Sequence, residues 1–153
     1  MILIFGGAYQ GKTNFVKEKY NINDEDIYSI EKFEIDKKNN TISLDNITNN
    51  DYKNIIEEER KRIILSKKCI NHLENFTYNC IITNINPYEE FKKIEKYLFE
   101  DYIIISLDSS LGIVPIDALD RKIREEHSLL MQYIAKKAYE VIRVFLSIPQ
   151  KIK

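Results

Sequence analysis

The chain has 153 residues, of which 44% are hydrophobic and 31% are charged, a balance typical of one folded domain with its own apolar core. Its net charge of -1 provides no overall field to attract nucleic acid or an anionic membrane surface. Cys69 and Cys80 stand in no metal-type spacing, and no apolar stretch has the length of a membrane span or the pattern of a secretory signal. We therefore expect one cytoplasmic domain over residues 1–153, with both thiols reduced.

The first half of the chain predicts a strand, a helix, a polar region and a second helix. Residues 2–5 are a short apolar run that ends at Gly-Gly, and residues 12–20 have the pattern of the helix that follows. Residues 21–51 are polar, with short alternating pieces around a Lys-Lys-Asn-Asn turn, which indicates a small β-rich or loop region. Asp51 is a candidate N-cap for a long amphipathic helix over residues 52–74.

The second half predicts alternating strands and helices. A strand at residues 78–83 is followed by a helix from Pro87 to about residue 99 and by a continuous apolar strand at residues 102–107. A loop, a helix over residues 117–139 and a last strand at residues 141–147 complete the chain. This alternation predicts an α/β fold with a mostly parallel sheet flanked by helices.

The loop after the first strand carries the pattern G-x-x-x-x-G-K-[ST], which is typical of P-loop nucleotide-binding proteins. Glycines allow successive backbone N–H groups to point at phosphate oxygens, and the following helix directs its positive end at the same anion. Lys12 would contact the β- and γ-phosphates, and the hydroxyl of Thr13 would bind Mg²⁺. The pattern therefore predicts a site for ATP or GTP with Mg²⁺, although an ordinary glycine-rich turn with an incidental Lys-Thr is the alternative. The predicted nucleotide contacts in this loop are Gly6, Gly7, Ala8, Gly11, Lys12 and Thr13.

A nucleotide site of this kind needs an acidic residue at the end of a neighbouring strand. The predicted strand at residues 78–83 supplies only uncharged polar side chains, such as those of Asn79 and Thr83, whereas the next strand is followed directly by Asp108. Asp108 is therefore the candidate ligand of Mg²⁺ through water, or the candidate base for a substrate hydroxyl. A solvated aspartate that caps the following Ser-Ser turn is the competing interpretation.

A second constellation lies on the last long helix. Arg121 and Arg124 are three residues apart and share a helix face, and two guanidinium groups on one face can bind a phosphate bidentately. A solvated face with an ion pair between Arg121 and Glu125 fits the same pattern.

Three blocks together resemble the adenosylcobinamide kinase / adenosylcobinamide-phosphate guanylyltransferase family of cobalamin biosynthesis. The first is MILIFGGAYQGKTNF at residues 1–15, which is similar to the opening strand and loop of that family. The second is GIVPIDALDRKIREE at residues 112–126, and the third is EVIRVFLSIPQKIK at residues 140–153. The second block is the most specific, because the first is shared by many P-loop proteins.

The resemblance implies a RecA-like P-loop NTPase domain that forms a homo-oligomer and acts on a corrinoid. Members of the family phosphorylate the aminopropanol hydroxyl of adenosylcobinamide with ATP or GTP, and then transfer GMP to that phosphate through a histidine-linked intermediate. On this reading Lys12 lies at the transferring phosphate, and Asp108 orients the metal or the acceptor hydroxyl. Arg121 and Arg124 would contact a phosphate or the corrinoid.

The chain departs from this family at the histidine that accepts the guanylyl group. That histidine is expected between the first helix and the next main strand, but residues 12–71 contain none. His72 is predicted near the end of the long helix, His127 lies on the last helix, and Asn79 stands where the strand-end acid is expected. We therefore expect the kinase reaction without the family's route to guanylyl transfer. The alternatives are a degenerate nucleotide-binding member that acts as a non-catalytic regulator or partner, and a kinase of another small hydroxylated substrate.

Overall fold

The computed structural model describes residues 1–36, 41–44, 47–48, 52–66, 68–109 and 114–153. The described residues form a six-stranded sheet, a three-stranded sheet and five α-helices. The strands are β1 (Ile2–Gly6), β2 (Ile27–Ser29), β3 (Glu34–Asp36), β4 (Thr41–Leu44), β5 (Ile47–Thr48), β6 (Cys69–Asn71), β7 (Ile103–Leu107), β8 (Glu140–Phe145) and β9 (Ile148–Lys151). The helices are α1 (Lys12–Tyr20), α2 (Tyr52–Leu65), α3 (Leu73–Ile82), α4 (Pro87–Glu95) and α5 (Ala118–Lys137).

The larger sheet has the strand order β2-β6-β7-β1-β8-β9. All its pairs are parallel except the last, in which β9 returns antiparallel to β8. Strand β1 is central, and Ile4 pairs with Ile105 of β7 on one side and with Ile142 of β8 on the other. Since the strands are parallel, the segments that follow β1, β6 and β7 all leave the same edge of the sheet.

The two faces of this sheet are covered by different helices. Leu3 of β1 joins a buried cluster with residues of the other four helices, such as Phe76 of α3 and Ile134 of α5. Its neighbours Ile2 and Ile4 point to the opposite face, where they pack with Val16 of α1. Successive strand residues point to opposite faces, so the unbroken apolar run of β1 reflects burial on both sides.

Each face also contains one unpaired, buried cysteine. Cys69 belongs to the cluster beside α1, and Cys80 belongs to the cluster beneath the other four helices. Burial raises the pKa of both thiols, that of Cys69 to about 12. Within the described residues, no helix combines the length and the apolar composition needed to cross a bilayer.

Several predicted elements are confirmed. The α/β class, the first strand and helix, the helix at Pro87, the strand before Asp108 and the last long helix are all present. The carboxylate of Asp117 caps α5 by accepting the backbone N–H groups of Leu119 and Asp120 at 2.8 and 3.1 Å. The polar region does contain short strands, since β3, β4 and β5 form the small antiparallel sheet while β2 joins the large one. The proposed Asp51 cap and the Lys-Lys-Asn-Asn turn lie outside the described residues.

Two predictions in the middle of the chain are wrong. The long helix ends at Leu65 rather than near residue 74, and Cys69–Asn71 forms the buried strand β6 between β2 and β7. The strand predicted at residues 78–83 belongs instead to helix α3. The pattern misleads because Phe76, Cys80 and Ile81 are all buried, so α3 lacks a distinct polar face and its apolar run resembles a strand.

Asn79 therefore does not stand at the end of a strand. Its side chain is completely buried within α3 and bonds the segment that follows β2. Its Oδ1 accepts the backbone N–H of Phe33 at 2.9 Å, and its Nδ2 donates to the carbonyl of Glu31 at 2.8 Å. The amide thus satisfies two backbone groups, a role that a carboxylate cannot fill because it has no N–H to donate.

The role of Asn79 predicts a large loss of stability on replacement by leucine. Asn79→Leu keeps a similar side-chain volume but removes the hydrogen-bond partners of the Glu31 carbonyl and the Phe33 N–H. We therefore expect the free energy of unfolding to fall by about 2–4 kcal/mol. Urea unfolding followed by circular dichroism measures this change. Gln132→Leu is the matched control, because it replaces an exposed amide of α5 and should change stability by less than about 0.5 kcal/mol. Equal effects of the two substitutions would contradict the structural role of Asn79.

Candidate functional site

The glycine-rich loop, residues 6–13, leaves the carboxyl end of β1 and leads directly into α1. Two of its glycines are required by close packing. A Cβ on Gly6 would lie 2.2 Å from the carbonyl oxygen of Val144, and a Cβ on Gly11 would lie 2.5 Å from the hydroxyl of Ser147. Gly11 also has φ +82°, a left-handed conformation that side chains disfavour. The loop is therefore held tightly against β8 and the turn that follows it.

The start of α1 is open to an anion. Gly11 is the N-cap and has no side chain to cap the helix, and the first turn contains no acidic residue. The early N–H groups of a helix carry partial positive charge and need acceptors. Thr13 lies in this turn and lines the adjoining cavity with its neighbours.

Lys12 extends across the loop that precedes it. Its Nζ donates to the carbonyl oxygens of Gly7 at 2.7 Å and Gly6 at 3.2 Å. Burial lowers the pKa of Lys12, and the negative charges of Glu74 and Asp108 oppose that shift. The ammonium group is therefore held by the loop carbonyls and lies within the electrostatic influence of two carboxylates.

Glu74 is an acid of this site that the sequence interpretation missed. It lies in the first turn of α3, just beyond the end of β6, and its Oε2 accepts the backbone N–H of Leu107 at 2.9 Å. Its Oε1 lies 3.0 Å from Nδ1 of His72. Burial favours the neutral acid, but the hydrogen bonds from His72 and Leu107 outweigh it and hold the pKa of Glu74 below its usual range. Glu74 is therefore an ionised carboxylate that joins the ends of β6 and β7.

Asp108 occupies the position predicted for it, directly after β7. Its backbone N–H donates to the carbonyl of Gly6 at 2.9 Å, which extends the pairing of β7 with β1 by one residue. Its negative charge acts to raise the pKa of both Lys12 and His127. The structure thus brings Asp108 to the same edge as Lys12 and Thr13.

Two adjoining cavities meet at this edge of the sheet. The first has a volume of about 530 Å³ and lies between the glycine-rich loop and the end of β6, where Asn71 and His72 line it. The second has a volume of about 310 Å³ and lies between α3 and α5, where Tyr78 and Arg124 line it. Glu74 and Leu107 line both cavities, so they form the shared wall.

His127 supports this wall from the core. It is buried, with Nδ1 2.9 Å from the hydroxyl of Thr77 and Nε2 3.1 Å from the hydroxyl of Ser106 and 3.3 Å from the carbonyl of Leu107. With its proton on Nε2 the imidazole donates to Ser106 and Leu107 and accepts from Thr77. Burial lowers the pKa of His127, which favours this neutral form.

The two arginines of the predicted pair, Arg121 and Arg124, lie in different environments. Arg124 lines the second cavity, as described above. Arg121 is exposed, and its guanidinium donates to the carbonyl of Pro115 at 3.1 Å and to that of Ile116. Residues 110–113, which include half of the Gly-Ile-Val-Pro segment, lie outside the described residues.

The residues that sequence reasoning misplaced are those that follow β6. His72 was expected on a helix, but it stands at the strand end with φ +64° and lines the cavity of the glycine-rich loop. The signal that marks this place is a short apolar pair, Cys69 and Ile70, followed by the polar residues Asn71 and His72 and then by Glu74. A polar cluster of this kind after a buried strand is typical of the functional edge of an α/β sheet.

No family model matches the chain, and a comparison with curated proteins gives no match. In the described part of the chain, no three His, Cys, Asp or Glu side chains are grouped as a metal cluster.

Replacement of the adjacent glycines Gly6 and Gly7 by alanine should have different effects on stability. Gly6→Ala forces a Cβ against the backbone of β8, so we expect the free energy of unfolding to fall by about 1–3 kcal/mol or more. Gly7→Ala is the control, because the nearest atoms to its Cβ would belong to the side chain of Gln10, at 3.3 Å, rather than to the backbone, so it should cost clearly less than Gly6→Ala. Urea unfolding of both variants tests this, and a Gly6→Ala protein as stable as Gly7→Ala would contradict the close packing.

His127 predicts a pH dependence of stability. The unfolded chain binds a proton on this side chain near pH 6.5, whereas the folded protein resists protonation until a lower pH. The contribution of the neutral imidazole to the free energy of unfolding is therefore complete above pH 6.5. As the pH falls below that value, this free energy decreases by up to about 1.4 kcal/mol per pH unit. Unfolding measured between pH 7 and pH 5 should show this slope, and His127→Gln should reduce it. A variant with an unchanged slope would contradict the assignment.

Proposed function

We propose that this protein is a P-loop kinase that transfers a phosphoryl group from ATP or GTP to a hydroxyl of a small molecule. The sequence resemblance indicates adenosylcobinamide as the acceptor. The observation that carries the proposal is the position of Lys12 at the end of the glycine-rich loop, where it binds two loop carbonyl groups and lines one cavity with Thr13 and Glu74. Positioning and charge neutralisation are the main demands of phosphoryl transfer.

The residues of the loop fit a triphosphate with Mg²⁺. Gly6 and Gly11 let the loop pack closely against β8 and the turn that follows it, and the uncapped start of α1 supplies N–H donors. Lys12 supplies positive charge, and the Thr13 hydroxyl is the metal ligand that the motif predicts. When bound, Mg²⁺ would neutralise charge on the transferring phosphate.

The two acids have separable roles in this proposal. Both carboxylate oxygens of Glu74 already accept hydrogen bonds within the protein, so Glu74 acts as a fixed negative charge that orients Lys12 and water around the metal. Asp108 is the proposed base for the acceptor hydroxyl, or the acid that binds the metal through water. Its placement immediately after β7, beside Gly6, supports this role.

The second cavity is the proposed entrance for the acceptor. It shares Glu74 and Leu107 with the cavity of the loop, so a hydroxyl that enters it approaches the transferring phosphate from the side of the acids. Arg124 lies in its wall and is a candidate contact for a phosphate or the corrinoid. Arg121 keeps this role only as a prediction from the sequence, and the homo-oligomer likewise remains a prediction.

One observation supports a second activity, guanylyl transfer. In the family that the sequence resembles, an imidazole nitrogen attacks the α-phosphate of GTP and displaces pyrophosphate, and His72 lines the same cavity as Lys12 and Thr13. Its Nδ1 faces Glu74, so its Nε2 is the nitrogen that would react. Incubation with GTP labelled on the α-phosphate tests this, because an acid-labile protein label that His72→Gln abolishes would support it.

Replacing the loop lysine should abolish phosphoryl transfer. With adenosylcobinamide, ATP or GTP and Mg²⁺, Lys12→Met should reduce the rate of formation of phosphorylated corrinoid by about 10²-fold or more. Lys17→Met is the control, because Lys17 lies later in α1 and pairs with Asp24, outside the cavity. Chromatography of the corrinoid products measures both rates.

Two outcomes would contradict parts of the proposal. A folded protein that binds the triphosphate but forms no phosphorylated corrinoid would exclude adenosylcobinamide as the acceptor and would favour the non-catalytic alternative or a different acceptor. A folded protein that binds neither ATP nor GTP would exclude the nucleotide site itself.

A further inference from the structure

The turn that joins β8 to β9 is bonded to the glycine-rich loop. The backbone N–H of Ser147 donates to the carbonyl of Gln10 at 3.0 Å, and that of Leu146 donates to Oε1 of the same residue. Ser147 also packs directly against Gly11. The turn therefore forms a fixed wall beside the phosphate cradle.

This wall lies opposite the acids. Strand β1 has β7 on one side and β8 on the other. Glu74, Asp108 and the second cavity lie on the β7 side, whereas the turn continues from β8. In phosphoryl transfer the terminal phosphate must face the acceptor. A triphosphate that spans the cradle therefore directs its nucleoside end away from the acids, towards the β8–β9 turn.

The side chains at the turn suit a nucleobase. Phe145 and Ile148 are opposite each other across the hairpin, with exposed fractions of 50% and 63%, and Leu146 between them in sequence is 66% exposed. The guanidinium of Arg143 lies 6.0 Å from the ring centroid of Phe145. An aromatic ring and branched aliphatic groups provide an apolar surface on which the flat face of a base can stack.

The backbone conformation of the turn supports a role for the Leu146 side chain in contacting a ligand. Leu146 and Ser147 both have positive φ, 49° and 61°, where two-residue hairpin turns strongly favour Asn-Gly or similar pairs. A leucine at the first position is disfavoured locally, and its side chain is not used to fill the core. An exposed apolar group in this position is explained if it contacts a ligand.

We propose, on the basis of the nucleotide-binding function above, that the β8–β9 turn is the base-binding wall for a purine nucleoside triphosphate, formed by Phe145, Leu146 and Ile148. The wall contacts the face of the base rather than its hydrogen-bonding edge. Adenine and guanine should therefore gain similarly from it.

The test compares ligands with and without a base. Isothermal titration calorimetry with Mg²⁺ gives the Kd of ATP, GTP and inorganic tripolyphosphate for each protein. Leu146→Asn removes the apolar side chain while it provides a residue that tolerates positive φ, and Phe145→Thr removes the ring at a strand position. Either variant should raise the Kd of ATP and GTP about tenfold and leave that of tripolyphosphate unchanged. Leu129→Asn is the control, because Leu129 is 51% exposed on α5 and should affect no ligand.

The outcomes separate this wall from the nucleotide function. Wild-type protein that binds tripolyphosphate as tightly as ATP would overturn the base-binding wall and leave the phosphate cradle intact. Variants that weaken tripolyphosphate as much as ATP, or that change neither, would also overturn it. Wild-type protein that binds no triphosphate of any kind would overturn the proposed function, and the wall with it.

Discussion

Strand β1 is hydrogen-bonded to β7 on one side and to β8 on the other. This pairing determines which residues lie together at the carboxyl edge of the sheet. The Gly6 carbonyl receives the Asp108 N–H, and the Gly6 Cα lies against the Val144 carbonyl. These two contacts fix Gly6 at the edge of the sheet, where the chain continues through the loop into α1. The loop, its lysine and the acid after β7 are therefore brought together by backbone pairing rather than by contacts between their side chains.

The charged side chains at the carboxyl edge of the large sheet stabilise one another. Lys12 loses hydration in its half-buried position, and Glu74 and Asp108 compensate part of that loss. Glu74 in turn is kept ionised by donors from two other elements, His72 and the N–H of Leu107. The neutral imidazole of His127 holds the Leu107 carbonyl from the opposite side. The lysine of the loop and the two carboxylates near it are thus each stabilised by neighbouring groups of the protein.

The sequence predicts the start of the chain better than its middle, for a physical reason, and at the other end the single strand predicted at residues 141–147 is the hairpin of β8 and β9. The β1–loop–α1 unit is defined by local signals, because an apolar strand, required glycines and a helix follow one another within 20 residues. Strand β6 has only three residues, and α3 is buried on most sides, so neither shows the periodicity of its class. Glu74 was missed for the same reason, since its position at the sheet edge exists only if β6 is a strand. The partners of Asn79, Glu31 and Phe33, are more than 40 residues distant and could not be inferred locally.

The two buried cysteines have a practical consequence. Cys69 lies in β6 and packs on the face covered by α1, Cys80 lies on the buried side of α3 at the opposite face, and burial disfavours the thiolate of each. A thiol reagent reacts with the thiolate, so neither side chain is available to it while its own face of the sheet stays closed. The rates at which the two cysteines are alkylated therefore report separately on the opening of the two halves of the core. The chain thus carries its own pair of native chemical reporters for local unfolding, one beside the glycine-rich loop's helix and one on α3 at the opposite face.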